Sequence, residues 1–204
     1  MTRFLLAAAL ALAATGNASA ATYKIDPRHT QVFFTYAHNE YSNLSGRLNE
    51  ASGALEFDPA KPAASSISIE LPLSSLSTGV PGLDDHMKSA DFFDAEKFPT
   101  ASFKSTSVKV KDATHFDLVG DLTIKGVTKP ATFAVTVNHL GENPRRKTPM
   151  AGFEATATIK RADWGVDNML GVTGEDIHLR VNMEAGVPAA EPAPGAQPPP
   201  PAKG

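Results

Sequence analysis

From residue 22 to residue 185, apolar side chains recur at every second position in one segment after another. Val32, Phe34 and Tyr36 alternate with Gln31, Phe33 and Thr35, and Ile67, Ile69, Leu71 and Leu73 alternate with Ser66, Ser68, Glu70 and Pro72. The same rule governs Phe116, Leu118, Leu122 and Ile124, then Phe133, Val135 and Val137. It returns in Phe153, Ala155, Ala157 and Ile159, and in Ile177, Leu179, Val181 and Met183. Neighbouring side chains of a strand point to opposite faces, so one apolar face per segment marks antiparallel strands with a single buried side. Residues suited to chain reversal separate the runs: Asn39 to Asn43, Asp58-Pro59, Lys125-Gly126, Gly141 to Pro149 and Gly171 to Gly174. Eight strands are predicted, near 22–38, 44–57, 65–74, 99–110, 114–124, 129–140, 151–162 and 174–185. The apolar parity slips between Leu48 and Leu55, and again between Phe103 and Val108, which predicts β-bulges near Asn49–Ser52 and Ser105–Thr106.

One stretch departs from the pattern. From Gly82 to Lys97, Leu83 and Met87 stand four apart among Asp84, Asp85, His86 and Lys88, the spacing of one or two helical turns. Eight one-sided strands with one helical insert close into a barrel or pack as a sandwich, and closure leaves no free strand edges. An eight-stranded barrel is filled by its own side chains or holds one small ligand. Gly53, Ala101, Ala155 and Ala157 are small at inward positions. They leave room inside, or they face Phe34, Phe103 and Phe153 and leave none.

The two ends read differently. Residues 1–20 carry Arg3, the apolar run Phe4 to Ala14 and the small residues Ala18-Ser19-Ala20, the layout of a secretory signal peptide cleaved after Ala20. The run falls short of the roughly 20 apolar residues that span a bilayer. Residues 186–204 are rich in Pro, Ala and Gly and present no apolar face, so a disordered tail is expected there. About 165 residues remain, one domain with a sizeable core. Removing the leader takes away one positive charge and moves the formal charge from −3 to −4. A weakly acidic chain without a basic stripe excludes the usual nucleic-acid binders. With no cysteine, the exported domain is held by packing alone. The periplasm is the expected address, with the extracellular space as second choice, and stable membrane insertion is not expected.

Several strings then resemble a known family. They are Ile25-Asp26-Pro27-Arg28-His29-Thr30, His38, Gly46-Arg47-Leu48, Asp85 to Ala95, Phe98 to Phe103, Gly120 to Pro130, Gly152-Phe153 and Arg161-Ala162-Asp163-Trp164-Gly165. Together they resemble the YceI-like family of periplasmic polyisoprenoid-binding proteins across nearly all of residues 22–185. The resemblance implies an all-β, eight-stranded antiparallel lipocalin-like barrel, often a homodimer, around an amphiphilic polyisoprenoid or acyl-chain lipid. It implies no cofactor and no catalysis. The chain departs from the family in Thr30 where Ser is usual, Trp164 where Phe is usual, and its long Pro-rich tail.

A ligand of that kind needs an apolar tube and a few polar groups at one end. The tube candidates are Val32, Phe34, Tyr36, Leu55, Ile69, Leu71, Phe103, Leu118, Leu122, Phe133, Val135, Phe153 and Met183, each of which also serves as ordinary core. Arg161 shares the inward parity of Phe153 and Ile159 at a strand end, where a guanidinium meets an anionic head group or pairs with Asp26, Asp85 or Asp163. The structural ion pair is the favoured of the two. His38 shares the parity of Tyr36, as a rim contact or a core histidine. Arg145-Arg146-Lys147 reads as a solvated loop or an anion contact.

Enzyme signatures are missing: there is no Gly-x-Ser-x-Gly elbow, thiol, phosphate-cradling loop or metal-spaced histidine pair. No metal is expected. The expected function is binding: carriage, storage or sequestration of a lipid in the periplasm. The alternatives are a rim catalyst built from His29, His38, Asp85 and His86, and a scaffold acting through the tail.

Overall fold

The computed structural model describes residues 21–189, so the leader and nearly all of the tail lie outside the described residues. Its strands are β1 (Ala21–Ile25), β2 (Gln31–His38), β3 (Ser42–Leu48), β4 (Ser52–Phe57), β5 (Ser66–Pro72), β6 (Leu76–Ser77), β7 (Thr100–Val110), β8 (His115–Ile124), β9 (Val127–Glu142), β10 (Pro149–Lys160) and β11 (Asp176–Gly186). Among the described residues a single α-helix, α1 (Pro81–Lys88), falls inside the expected insert. All pairings between these strands are antiparallel, and β1 pairs with both β4 and β11, which closes an eight-stranded barrel.

Three of the eight long strands are broken. The expected strand 22–38 splits into β1 and β2 at Asp26–Thr30, because Pro27 has no N–H to give the ladder. There Asp26 Oδ1 accepts the Arg28 N–H at 2.9 Å, and the side chain holds a tight turn. The expected strand 44–57 splits into β3 and β4, and the parity slip is a break across Asn49–Ala51 rather than a bulge. Asn49 Nδ2 donates to the Ser75 carbonyl at 3.1 Å across it. The third strand is interrupted by a 3-10 turn at Leu73–Ser75 before β6.

The second parity slip is a bulge: the β7–β8 register shifts between Ser105 and Ser107. A further shift, in which Gly152 faces His139 but Phe153 faces Val137, leaves Asn138 of β9 unpaired. Bulges add local twist and bend, which a closed sheet needs. The β8–β9 hairpin turns on Lys125 (φ 49°) and Gly126 (φ 74°), both left-handed, as a two-residue turn of matching twist demands. The inward stripes converge on one interior, with edge-on aromatic contacts between Phe103 and Phe133 at 5.0 Å and between Phe57 and Phe153 at 5.4 Å.

Candidate functional site

The barrel interior is not solid. A cavity of about 450 Å³ runs between its two ends. That size falls within the ~300–1,000 Å³ usual for small-molecule sites. Strand register sets the ends. Pro62 and Ser65, which precede β5, and Ser66, which begins it, lie at the bottom. His38, Leu83, His86, Arg161, Met169 and Thr173 lie at the mouth, where α1 and the loop before β11 arch over the opening.

All fifteen residues singled out from the sequence line this cavity. Leu118, Val135 and His38 are half-buried and the other twelve are buried. Of the small residues, Ala101 and Ala155 line it, whereas Gly53 and Ala157 do not. A side chain on Gly53 would run into the Ser68 carbonyl, 2.0 Å from the position of its Cβ, so this glycine serves strand approach rather than lumen volume.

The parity of single strands did not disclose the mouth. Leu83, Met87, Phe92 and Phe93 from the helical insert, with Trp164 and Val166, also line the cavity. The i, i+4 pair Leu83 and Met87 and the adjacent phenylalanines were the available signal. Trp164 is buried, and its indole Nε1 donates to the Leu122 carbonyl at 2.9 Å, which ties the mouth loop to β8.

Arg161 departs from the expected ion pair. It begins a 3-10 turn, Arg161–Trp164, and is 6% exposed. Its Nε donates to Gly174 O at 2.9 Å, and Nη1 donates to Val166 O and Asn168 O, each at 2.7 Å. Its Nη2 donates to Thr173 O at 3.1 Å and Thr173 Oγ1 at 2.7 Å. These five bonds use every N–H of the guanidinium. No carboxylate joins them: Asp163 pairs with Lys129 at 3.5 Å, and Asp26 with His29 at 2.9 Å. The expected ion pair is therefore replaced by a clasp on the loop 166–174, because the chain after the turn doubles back and aims its carbonyls inward. Burial lowers the pKa of Arg161, opposed by the charges of Asp167, Glu175 and Tyr36, yet a guanidinium stays charged.

The supposed rim cluster does not assemble. His29 sits in the β1–β2 break beside Asp26, with Glu184 at 4.0 Å, while His86 is at the mouth, 3.3 Å from Asp91 and edge-on to Phe92. Among the described residues no three His, Asp or Glu side chains are placed to hold a metal ion. The basic turn Arg145 to Lys147 lies at the end of the barrel away from the mouth, folded on Asn143 Oδ1.

Residues 23–185 match the YceI-like domain. The chain belongs to the YceI-like family. Within it, the chain is 39% identical over 171 residues to Protein YceI of Escherichia coli O157:H7, a match covering 83% of this chain and 88% of that one. The fold resembles that of Burkholderia cenocepacia BcnA with a TM-score of 0.71 at 23% identity, covering 78% of this chain and 98% of the other. It also resembles a polyisoprenoid binding domain of Saccharophagus degradans implicated in plant cell wall breakdown, with a TM-score of 0.64 at 16% identity, covering 81% and 98%. This YceI-like barrel thus keeps its family's architecture, with an apolar interior that is partly empty.

Proposed function

We propose that this protein is an exported, periplasmic lipid-binding barrel that carries, stores or sequesters a polyisoprenoid or related acyl-chain amphiphile. The observation that carries the reading is the apolar cavity of about 450 Å³ inside the barrel. Water gains little in a lumen whose walls are Leu, Val, Ile and Phe, so an apolar chain is the favoured occupant. Each Å² of apolar surface the chain removes from water contributes about 25 cal/mol. The barrel likeness to a polyisoprenoid binding domain supports the same class of ligand. The leader pattern supports export, and the scattered histidines favour binding over catalysis.

The test is to purify the full-length protein from the periplasm of its own cells and identify organic-extractable lipid by mass spectrometry. A stoichiometric prenyl or long-chain lipid is expected. A barrel that is repeatedly empty and takes up no prenyl lipid removes the reading.

A further inference from the structure

The polar equipment of the lumen is sparse, and its distribution selects among ligands. Along β2 the inward side chains are Val32, Phe34, Tyr36 and His38, in order toward the mouth. The register pairs Phe34 with Leu179, and Ile177 with Ile159. Extended by two residues, it puts Tyr36 at the level of Ile159, one inward position below Arg161, a step of ~7 Å. Tyr36 is 7% exposed and lines the cavity, and its phenol takes part in none of the side-chain hydrogen bonds formed among the described residues. Burial raises its phenol pKa, and the charge of Arg161 draws it back, which places the two within electrostatic reach. Ser65 Oγ is also unpartnered, but it belongs to the bottom of the barrel and to a half-buried side chain.

The two mouth groups therefore differ in what they offer. Arg161 contributes a positive field but no free N–H, since the loop carbonyls and Thr173 occupy all five. Tyr36 contributes one neutral O–H on the wall of an apolar lumen. Resting on the lipid-binding reading above, we propose that Tyr36 is the head-group contact of the lumen and favours an isoprenoid ending in one uncharged oxygen function, an alcohol or carbonyl, over a pyrophosphate. A single oxygen accepts the phenol proton and is otherwise cheap to desolvate. A pyrophosphate lowered to the same depth carries more than one negative charge past a single cation with no donor to spare, and stays undersolvated.

Trp164 is the one tryptophan of the chain and lines the cavity, so its emission reports occupancy. Three probes of equal chain length separate the terms: geranylgeraniol, geranylgeranyl pyrophosphate and the headless hydrocarbon phytane, titrated into the full-length protein and its Tyr36→Phe variant. The wild-type protein is expected to prefer the alcohol to the pyrophosphate. In the variant the alcohol weakens about fivefold, the worth of one neutral hydrogen bond. Pyrophosphate and phytane are expected to bind both proteins alike, and the variant keeps its melting temperature, because the lost hydroxyl had no partner. Unchanged affinity for the alcohol, an equal loss for the pyrophosphate, or a lowered melting temperature each overturns the role of Tyr36. Uptake of phytane together with any of these leaves the lipid-binding reading standing. Failure of all three probes overturns both.

Discussion

The ring of Phe34 occupies the space a side chain on Gly46 would need: a Cβ built there comes within 2.2 Å of Phe34 Cζ. The two residues face each other across the β2–β3 ladder, and Phe34 lines the cavity. The glycine therefore lets the phenyl lie flat on the barrel wall rather than stand in the lumen. Gly46→Ala is expected to cost roughly 1–3 kcal/mol in chemical denaturation, the range for overpacking, and to weaken lipid uptake as the ring is pushed inward. A variant as stable as wild type with equal uptake contradicts this placement.

Arg161 holds the mouth loop by five hydrogen bonds to residues 166–174. Arg161→Met keeps bulk but leaves buried carbonyls without donors. The expected loss is roughly 3–5 kcal/mol, since each orphaned group costs ~1–3 kcal/mol and part of the loop relaxes into water. Limited proteolysis should then cut within 166–174 before it cuts the strands. Arg161→Lys, with a charge but no planar fork, should recover only part of the loss.

Filling the lumen separates binding from folding. Ala155 lines the cavity and is half-buried between Val135 and Val181 on the neighbouring strands. Ala155→Phe inserts a ring into space that is already empty, so stability should hold within about 1 kcal/mol. Lipid affinity should fall by tenfold or more, as lost burial of ~1.4 kcal/mol suffices for that factor. Undiminished uptake by a folded Ala155→Phe variant would count against the cavity as the binding space.

The Asp26–His29 pair sets a pH window. The hydrogen bond to Asp26 raises the His29 pKa above its ordinary 6.5, with the charges of Asp26 and Glu184 adding to it. That contribution is complete below pH 6.5 and is lost as pH rises through the raised value. The bond to His29 and the Arg28 amide lower the Asp26 pKa below its ordinary 3.8, against the effect of burial. Its share is present above pH 3.8 and is lost as pH falls through the lowered value. The pair therefore contributes fully only between those limits. Asp26→Asn should return His29 toward 6.5 in an NMR titration and flatten the stability profile above pH 6.5. An unmoved His29 titration would dismiss the pairing.

How far the chain is legible depends on the range of the interaction. Period-two parity placed all fifteen candidate residues on the cavity wall, since the side on which a strand residue points is a local property of extended backbone. The Ser105–Thr106 slip was readable for the same reason, as an extra residue reverses parity at once. The Asn138 bulge escaped notice because the parity change from Val137 to Leu140 rests on one residue, and that residue is exposed at the end of β9. The partners of Arg161 were missed because its inward direction is local, whereas they are carbonyls on a loop whose path no strand pattern describes.

The sequence by itself therefore determined the antiparallel all-β class and the inward faces of its strands, through alternation and turn chemistry that act over a few residues, while the choice of a barrel over a sandwich came from the family strings. Only the tertiary structure decided that the interior keeps about 450 Å³ empty, that Arg161 clasps a loop, and that His29 stands apart from His38 and His86. Volume and partnership arise from side chains far apart in the chain meeting in space, and no local period encodes where they meet.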